Sequence, residues 1–136
     1  MKIPKQAPLF GASNQTKITE LFYDTGKLHY RFCQKSTNGT DWINEGAFEE
    51  YYQNGSLAKK GFFLNGKKNG HWKEYYENGN LASEGYYLIG AQNGHWKNYY
   101  ENGNLAADGY YNIGKKHRIW KYYDEGGKLS EENFCD

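Results

Sequence analysis

The side chains able to do acid–base or metal chemistry form no recognisable site in this sequence. Four histidines are present, but His71 and His95 occupy the same place in two near-identical segments, which favours a structural role. None of the four lies at metal-ligand spacing from a cysteine or carboxylate. Glu84 and Asp108 could act as acids or bases, yet a recurring lysine is expected directly opposite each. Because nucleophile, base and orienting group cannot all be assigned, the sequence predicts neither an enzyme nor a metal or cofactor site.

The composition indicates many tight turns and a surface rich in aromatic side chains. The chain has 14 Tyr, 7 Phe and 4 Trp among 136 residues, with 17 Gly and no Val. A conventional sandwich or barrel core would need more branched aliphatic residues. A net charge of +1 gives no basis for nucleic-acid binding. The start of the chain lacks the apolar segment of a secretion signal, and Cys33 and Cys135 do not suggest a disulfide framework, so we expect a cytoplasmic protein.

A repeat of 24 residues organises the chain from residue 46 onward. Two successive copies read GHWKEYYENGNLASEGYYLIGAQN and GHWKNYYENGNLAADGYYNIGKKH. A divergent first copy, ITELFYDTGKLHYRFC, precedes them and is joined by a longer connection. The predicted units are residues 18–45, 46–69, 70–93, 94–117 and 118–136, with residues 1–17 as an N-terminal cap or arm.

Each copy has the pattern of a strand, a turn and a second strand. Asn78 and Gly79 tolerate a positive φ at both central positions of a two-residue type I′ turn. This turn would place Tyr75 opposite Ala82 in the hairpin. Neighbouring hairpins would supply the burial that one hairpin lacks. The sequence therefore predicts an all-β fold, a single elongated antiparallel sheet of five tandem β-hairpins without a helical layer.

Complementary side chains support this register. Opposite charges face each other in all five copies, although the strand that carries the acid changes. These pairs are Lys73–Glu84, Lys97–Asp108, Lys121–Glu132, Glu49–Lys60 and Glu20–Arg31. A large ring also faces a glycine, as in Trp72–Gly85 and Trp96–Gly109, which is the pattern of an aromatic ring covering a strand glycine.

The pattern W-x-x-Y-Y-x-N-G-x-L-x-x-x-G-Y-Y, from Trp72 to Tyr87, resembles the MORN repeat and specifically its bacterial variant. The resemblance covers about residues 18–136 and implies an elongated sheet of hairpins. It further implies an antitoxin or immunity protein, since bacterial members are often encoded beside a toxin. Eukaryotic relatives imply phospholipid binding as another possibility. The first copy departs from the pattern at Thr19 and Phe32.

The sequence favours a protein-binding module, with a toxin domain as the expected partner. Trp and Tyr dominate protein interfaces because they supply large contact areas at little entropic cost. We predict that the sheet face with more large apolar groups binds the partner. The predicted contact residues are Trp42, Trp72, Tyr76, Tyr87, Trp96, Tyr100, Tyr111 and Trp120. For Trp42, which matches no repeat position, a structural role at the sheet end is the alternative.

Three other functions stay open at this stage. The chain could be a scaffold for another protein, or it could bind the choline or glucan of a cell wall. It could also contact anionic phospholipid weakly through basic loops, each cation contributing about 1 kcal/mol. The basic residues concerned are Lys67, Lys68, Lys115, Lys116 and Arg118.

Overall fold

The computed structural model describes residues 14–135 as one open antiparallel sheet. Its strands are β1 (Gln15–Phe22), β2 (Leu28–Ser36), β3 (Ile43–Tyr51), β4 (Leu57–Leu64), β5 (Lys67–Lys68), β6 (Gly70–Tyr75), β7 (Leu81–Leu88), β8 (Ala91–Tyr99), β9 (Leu105–Asn112), β10 (Lys115–Tyr123) and β11 (Leu129–Cys135). Strands adjacent in sequence pair with each other except β5 and β6, which both pair with β4. The described residues contain no helix, so none there could span a membrane. The predicted all-β sheet of tandem hairpins is confirmed.

The first strand begins at Gln15, three residues before the predicted start of the first repeat. Most of the predicted N-terminal cap, residues 1–13, lies outside the described residues. Cys33 in β2 and Cys135 in β11 are both free thiols, as expected from the sequence. They belong to the second strand and the last strand of the sheet order.

The turn inside each hairpin differs from the predicted type I′ turn. The carbonyl of Tyr76 accepts a hydrogen bond from Gly79 N at 2.9 Å, and Tyr76 N donates to Asn80 O at 2.8 Å. Of the central residues, Gly79 alone has a positive φ, 92°. This is a three-residue loop that closes with a bulge. The bulge shifts the register, so Tyr75 lies opposite Leu81 and the predicted pairing with Ala82 is wrong.

The two-residue turns with positive φ at both positions lie between the repeats. Ile89 has a φ of 44° and is followed by Gly90 at 89°. Asn65 and Ile113 begin equivalent turns, with φ of 49° and 44°. Leu88 and Ala91 pair directly across the turn, as a two-residue hairpin connection requires. The backbone N–H of Ile89 donates to Asn69 Oδ1 at 3.0 Å, which ties this turn to the residue just before β6.

Beyond the bulge, the predicted register is confirmed in every copy. Lys73 faces Glu84 and Trp72 faces Gly85 in the β6–β7 pair. The corresponding charge pairs of the other four hairpins also face each other. Complementary charges at this position therefore mark the strand alignment.

The core consists of tryptophan rings that each cover a glycine of the preceding repeat. A Cβ added to Gly85 would lie 2.1 Å from Cδ2 of Trp96, whereas the sequence analysis assigned Gly85 to Trp72. Trp72 and Trp120 cover Gly61 and Gly109 in the same way. These indoles are only 1–5 % exposed. Each of these contacts joins two successive repeats, so an isolated hairpin would lack it.

Tyrosine hydroxyls provide a second link between repeats. The hydroxyl of Tyr76 donates to Tyr99 O at 2.6 Å, and that of Tyr100 donates to Tyr123 O at 2.6 Å. Asn78 Nδ2 donates to Glu101 O at 3.0 Å and so joins one hairpin turn to the next. The third and fourth repeats therefore donate hydrogen bonds forward along the chain through tyrosine and asparagine, while their tryptophans pack backward.

Candidate functional site

One face of the sheet, here called the tryptophan face, carries the aromatic core. Along it, Tyr87 and Tyr111 pack edge-on between the indoles, with ring centroids 5.1 to 6.1 Å apart. Three predicted contact residues, Trp72, Trp96 and Trp120, are buried there. A ring covered by its neighbours offers little area to another molecule, so these three indoles serve packing, and their contact with a partner stays an untested prediction.

The other predicted contact residues are half-buried. Tyr76 and Tyr100 each use the hydroxyl within the sheet, and the rings of Tyr87 and Tyr111 separate the indoles. Burial raises the pKa of the Tyr87 hydroxyl, and Glu74 raises it further. These tyrosines thus have structural contacts that account for their positions.

Two of the predicted basic contacts cover the tryptophan face. Lys68 Nζ lies 4.7 Å from the centroid of Trp72, and Lys116 Nζ lies 4.7 Å from that of Trp120. Burial lowers the pKa of the Lys68 ammonium, and the positive charge of Lys59 lowers it further. Lys116 also donates a hydrogen bond to the Tyr122 hydroxyl at 2.7 Å. These contacts engage both ammonium groups within the protein.

Trp42 lies beside the first strand. Lys17 Nζ is 4.1 Å from its ring centroid, and the ring is half-buried. It ends the connection of residues 37–42, in which Ser36 Oγ accepts a hydrogen bond from Gly39 N at 2.8 Å. This placement at the start of the sheet agrees with the structural alternative for Trp42.

The opposite face, here called the charged face, carries a row of ten charged residues across ten strands. This charged row is Glu20, Arg31, Glu49, Lys60, Lys73, Glu84, Lys97, Asp108, Lys121 and Glu132. Acids and bases are equal in number, so the row has little net charge. Such a surface does not favour a strongly anionic partner over its whole length.

A row of exposed aromatic side chains runs beside the charged row. Phe62, Tyr86, Tyr110 and Phe134 are spaced by 24 residues in the sequence and are 54 %, 50 %, 44 % and 75 % exposed. We call them the outer aromatic row. His71 and His95 stack on Tyr86 and Tyr110, with ring centroids 4.9 and 4.8 Å apart. The histidines also contact the charged row, His71 approaching Glu84 Oε1 at 3.4 Å and His95 pairing with Asp108.

The buried indoles hold the backbone of this outer aromatic row. Trp96 Nε1 donates to Tyr86 O at 2.9 Å, and Trp120 Nε1 donates to Tyr110 O at 2.9 Å. At each site a register shift leaves this carbonyl in an irregular part of the ladder. Each of these indoles therefore satisfies a backbone carbonyl of the outer aromatic row. The same hydrogen bond fixes the backbone of a residue whose side chain points to the charged face.

Shallow clefts lie between members of the outer aromatic row. Those beside Phe62, Tyr86 and Tyr110 have volumes of about 260, 200 and 350 Å³. Each cleft contains a glycine whose other side is covered by tryptophan. At the equivalent place in the first repeat stands Cys33, beside a larger cleft of about 500 Å³. The outer aromatic row thus spans the second to the fifth repeat.

The outer aromatic row was not predicted, because the number of large apolar groups on each face pointed to the tryptophan face. The useful signal was an aromatic residue every 24 positions that has no glycine opposite it. Tyr86 faces His71 in the ladder, and Tyr110 faces His95. A ring in such a pair has no flat backbone to cover, so it remains exposed.

These features define a repeat protein built as one open sheet. Comparison with protein families agrees with that class. The MORN repeat variant family matches residues 44–65, 68–88, 92–112 and 116–136, more than half of the chain, and the chain belongs to this family. The first hairpin lies outside the matched segments although its strands pair like the others. A search of curated proteins finds no match. As a MORN repeat protein, the chain is a binding or scaffold module.

Proposed function

We propose that this protein is a non-enzymatic module that binds a protein partner through its charged face. The outer aromatic row supports this proposal most directly. Four aromatic side chains are 44–75 % exposed in one line, and exposed aromatic groups of this kind mark interaction sites on soluble proteins. Buried indoles hold the backbone of three of them, Phe62, Tyr86 and Tyr110, so little conformational entropy would be lost there on binding.

The size of the surface favours a protein over a small ligand. The outer aromatic row crosses six strand spacings from β4 to β11, a length of about 29 Å at roughly 4.8 Å per strand. That length suits a standard protein interface of about 800 Å² on each partner. The clefts are open and shallow, whereas small-molecule sites bury most of the ligand.

The finer proposal is that the partner is a bacterial toxin domain that the module neutralises by direct binding. The MORN repeat variant supports this, as does a preformed rigid face, because an inhibitor gains affinity when its binding surface is ordered in advance. The alternating charged row adds selectivity, since a partner with mismatched charges would meet like charges along it.

A phospholipid surface is a second candidate. The inter-repeat turns carry exposed apolar and basic side chains close together, including Ile89, Ile113 and the exposed Lys67 and Lys115. Lys68 and Lys116 are engaged on the tryptophan face, which leaves few free cations for lipid. Since each contributes only about 1 kcal/mol at an anionic membrane, we rank this function second.

Site-specific photocrosslinking tests the binding face. Variants carry p-benzoylphenylalanine in place of Tyr86 or Tyr110 on the charged face, or in place of Glu74 or Asn98 on the tryptophan face. We expect discrete protein adducts from lysate of the source cell at the first two positions only, with the partner identified by mass spectrometry. A toxin domain in those adducts supports the finer proposal.

Two results would contradict the proposal. Adducts confined to Glu74 and Asn98 would mean that the tryptophan face binds. If the protein cosediments with anionic vesicles and gives no protein adduct at Tyr86 or Tyr110, its ligand is a membrane surface and not a protein.

A further inference from the structure

The charged row contains one pair of facing residues with the same charge. Lys60 of β4 lies opposite Lys73 of β6. Every other facing pair in the row joins an acid to a base. Like charges directly across a ladder destabilise a sheet. The position therefore has a cost for folding that the remaining pairs avoid.

The nearest carboxylates of the row do not neutralise these lysines. Glu49 Oε1 lies 3.6 Å from Arg31 Nη1 and accepts a hydrogen bond from the Tyr51 hydroxyl at 3.0 Å. Glu84 Oε1 is 3.4 Å from His71 Nε2. Within residues 14–135, neither lysine ammonium has a carboxylate oxygen within 4.0 Å.

Comparison of the three clefts shows how unusual this one is. The cleft beside Tyr86 contains Lys97 together with Glu84, and the cleft beside Tyr110 contains Lys121 together with Asp108. The equivalent cleft beside Phe62 contains two lysines and no carboxylate among its lining residues. Its complete lining is Lys60, Gly61, Phe62, His71, Lys73 and Tyr75. It is thus the one cleft of the three that is lined by two cations and no carboxylate.

We propose that this cleft receives an aspartate or glutamate side chain of the protein partner. The inference rests on the proposed function, because Phe62 belongs to the outer aromatic row and a partner covering that row brings its own residues to the cleft. One carboxylate between Lys60 and Lys73 continues the alternation of the charged row. It removes the repulsion and forms charge-assisted hydrogen bonds to both ammonium groups.

The test uses a capped hexaglutamate peptide as the probe and the full chain labelled with ¹⁵N. At low salt we expect saturable shifts of the backbone amides at Lys60, Phe62 and Lys73 before those of other residues move. Lys73→Gln should weaken this binding by about fivefold, the effect of one partly exposed ion pair. The matched control is Lys97→Gln, 24 residues further on and between two acids, for which we expect a change under about twofold.

Folding and binding should respond differently in the Lys73 variant. Because Lys73→Gln removes the repulsive pair with Lys60 together with the favourable pair with Glu84, its melting temperature should stay close to that of the wild type while affinity for the peptide falls. This readout separates loss of the carboxylate site from loss of structure. A lower melting temperature together with unchanged affinity would contradict the proposal.

Other outcomes identify what fails. Equal losses for Lys73→Gln and Lys97→Gln, or shifts spread evenly over the sheet, would mean nonspecific attraction and overturn the site. If inorganic phosphate shifts the same amides as strongly as the peptide does, the cleft is a site for a free anion and not for a partner side chain. If the photocrosslinks at Tyr86 and Tyr110 succeed but the peptide leaves the cleft unmoved, the proposed function stands and only the carboxylate site falls.

Discussion

Ile89 and Ile113 have a backbone conformation that β-branched residues rarely adopt. Both have a φ of 44° at the first position of a two-residue turn, where the equivalent residue in the second repeat is Asn65. Asparagine tolerates this left-handed conformation, but a branched Cβ crowds the following carbonyl. The isoleucine side chains are 56 % and 64 % exposed, so burial does not offset the strain.

Replacing Ile89 by asparagine should therefore stabilise the protein. We expect Ile89→Asn to raise the free energy of unfolding by about 1 kcal/mol, because a strained left-handed residue is relieved. Urea unfolding followed by circular dichroism measures the change. The reverse substitution, Asn65→Ile, should lower stability by a similar amount. A decrease for Ile89→Asn would show that the exposed isoleucine makes a stabilising contribution larger than its strain.

Among the strands and turns, the contact that decides the architecture is the tryptophan of one repeat on the glycine of the previous repeat. The indole lies where a β-carbon would otherwise stand, and its N–H reaches the carbonyl of the next residue. Both contacts cross from one hairpin to another. A hairpin removed from the array would lose its cover on one side and its backbone partner on the other.

A methyl group at Gly85 should disrupt this contact. The added Cβ would lie 2.1 Å from Cδ2 of Trp96, so we expect Gly85→Ala to destabilise the protein by about 2–3 kcal/mol and to expose the indole. Chemical unfolding and tryptophan fluorescence report both effects. Gly126→Ala is the control, because a Cβ there would meet only Asp124 Oδ1 at 3.4 Å. Equal stability of the two variants would mean that the ring moves aside freely.

The strands and their register could be predicted from the sequence, but the turns and faces only in part. Lys73 and Glu84 face each other as predicted because the 24-residue period and the charge pattern agree. Asn78-Gly79 suits both a type I′ turn and a three-residue loop, so the dipeptide alone could not distinguish them. Ile89-Gly90 was missed because isoleucine disfavours such a turn. Which face stays exposed depends on the repeat against which Trp96 packs. It packs on Gly85 of the preceding repeat, and this contact between repeats cannot be predicted from composition.

For the whole molecule, tyrosine ionisation links stability to pH. Burial is the largest cause of a raised hydroxyl pKa at six tyrosines, and nearby acids raise it further at each of them. These are Tyr23, Tyr30, Tyr51, Tyr52, Tyr87 and Tyr99. A raised pKa means that the folded state holds its protons more tightly than the unfolded state, whose tyrosines titrate near 10.0. The resulting stability is complete below that pH and is lost as pH rises through the folded-state pKa values.

We therefore expect the melting temperature to fall as pH rises from about 9 to 11. Absorbance at 295 nm should show tyrosine ionisation above the ordinary pKa of 10.0 in the folded chain. Tyr52→Phe should flatten the pH dependence, since this residue no longer ionises, although it also loses the hydrogen bond to Tyr75 O at 2.6 Å. Constant melting temperature across this range, with ordinary ionisation, would contradict the expected link.

The one-way order of the tyrosine and tryptophan contacts has a consequence for how genes of this kind can change. In the interior copies a tyrosine hydroxyl donates to a backbone carbonyl of the next copy, and an indole N–H donates to a carbonyl of the previous copy. An exact duplication or excision of 24 residues in the interior therefore leaves these donors with an acceptor. The fifth copy has Asp124 and Asn133 at the positions of the tyrosine and the glycine, so it lacks the groups through which the interior copies contact the next one. Recombination can thus lengthen or shorten the binding face in steps of about 10 Å, two strand spacings. The number of repeats therefore sets the length of the binding face, and selection can act on that number.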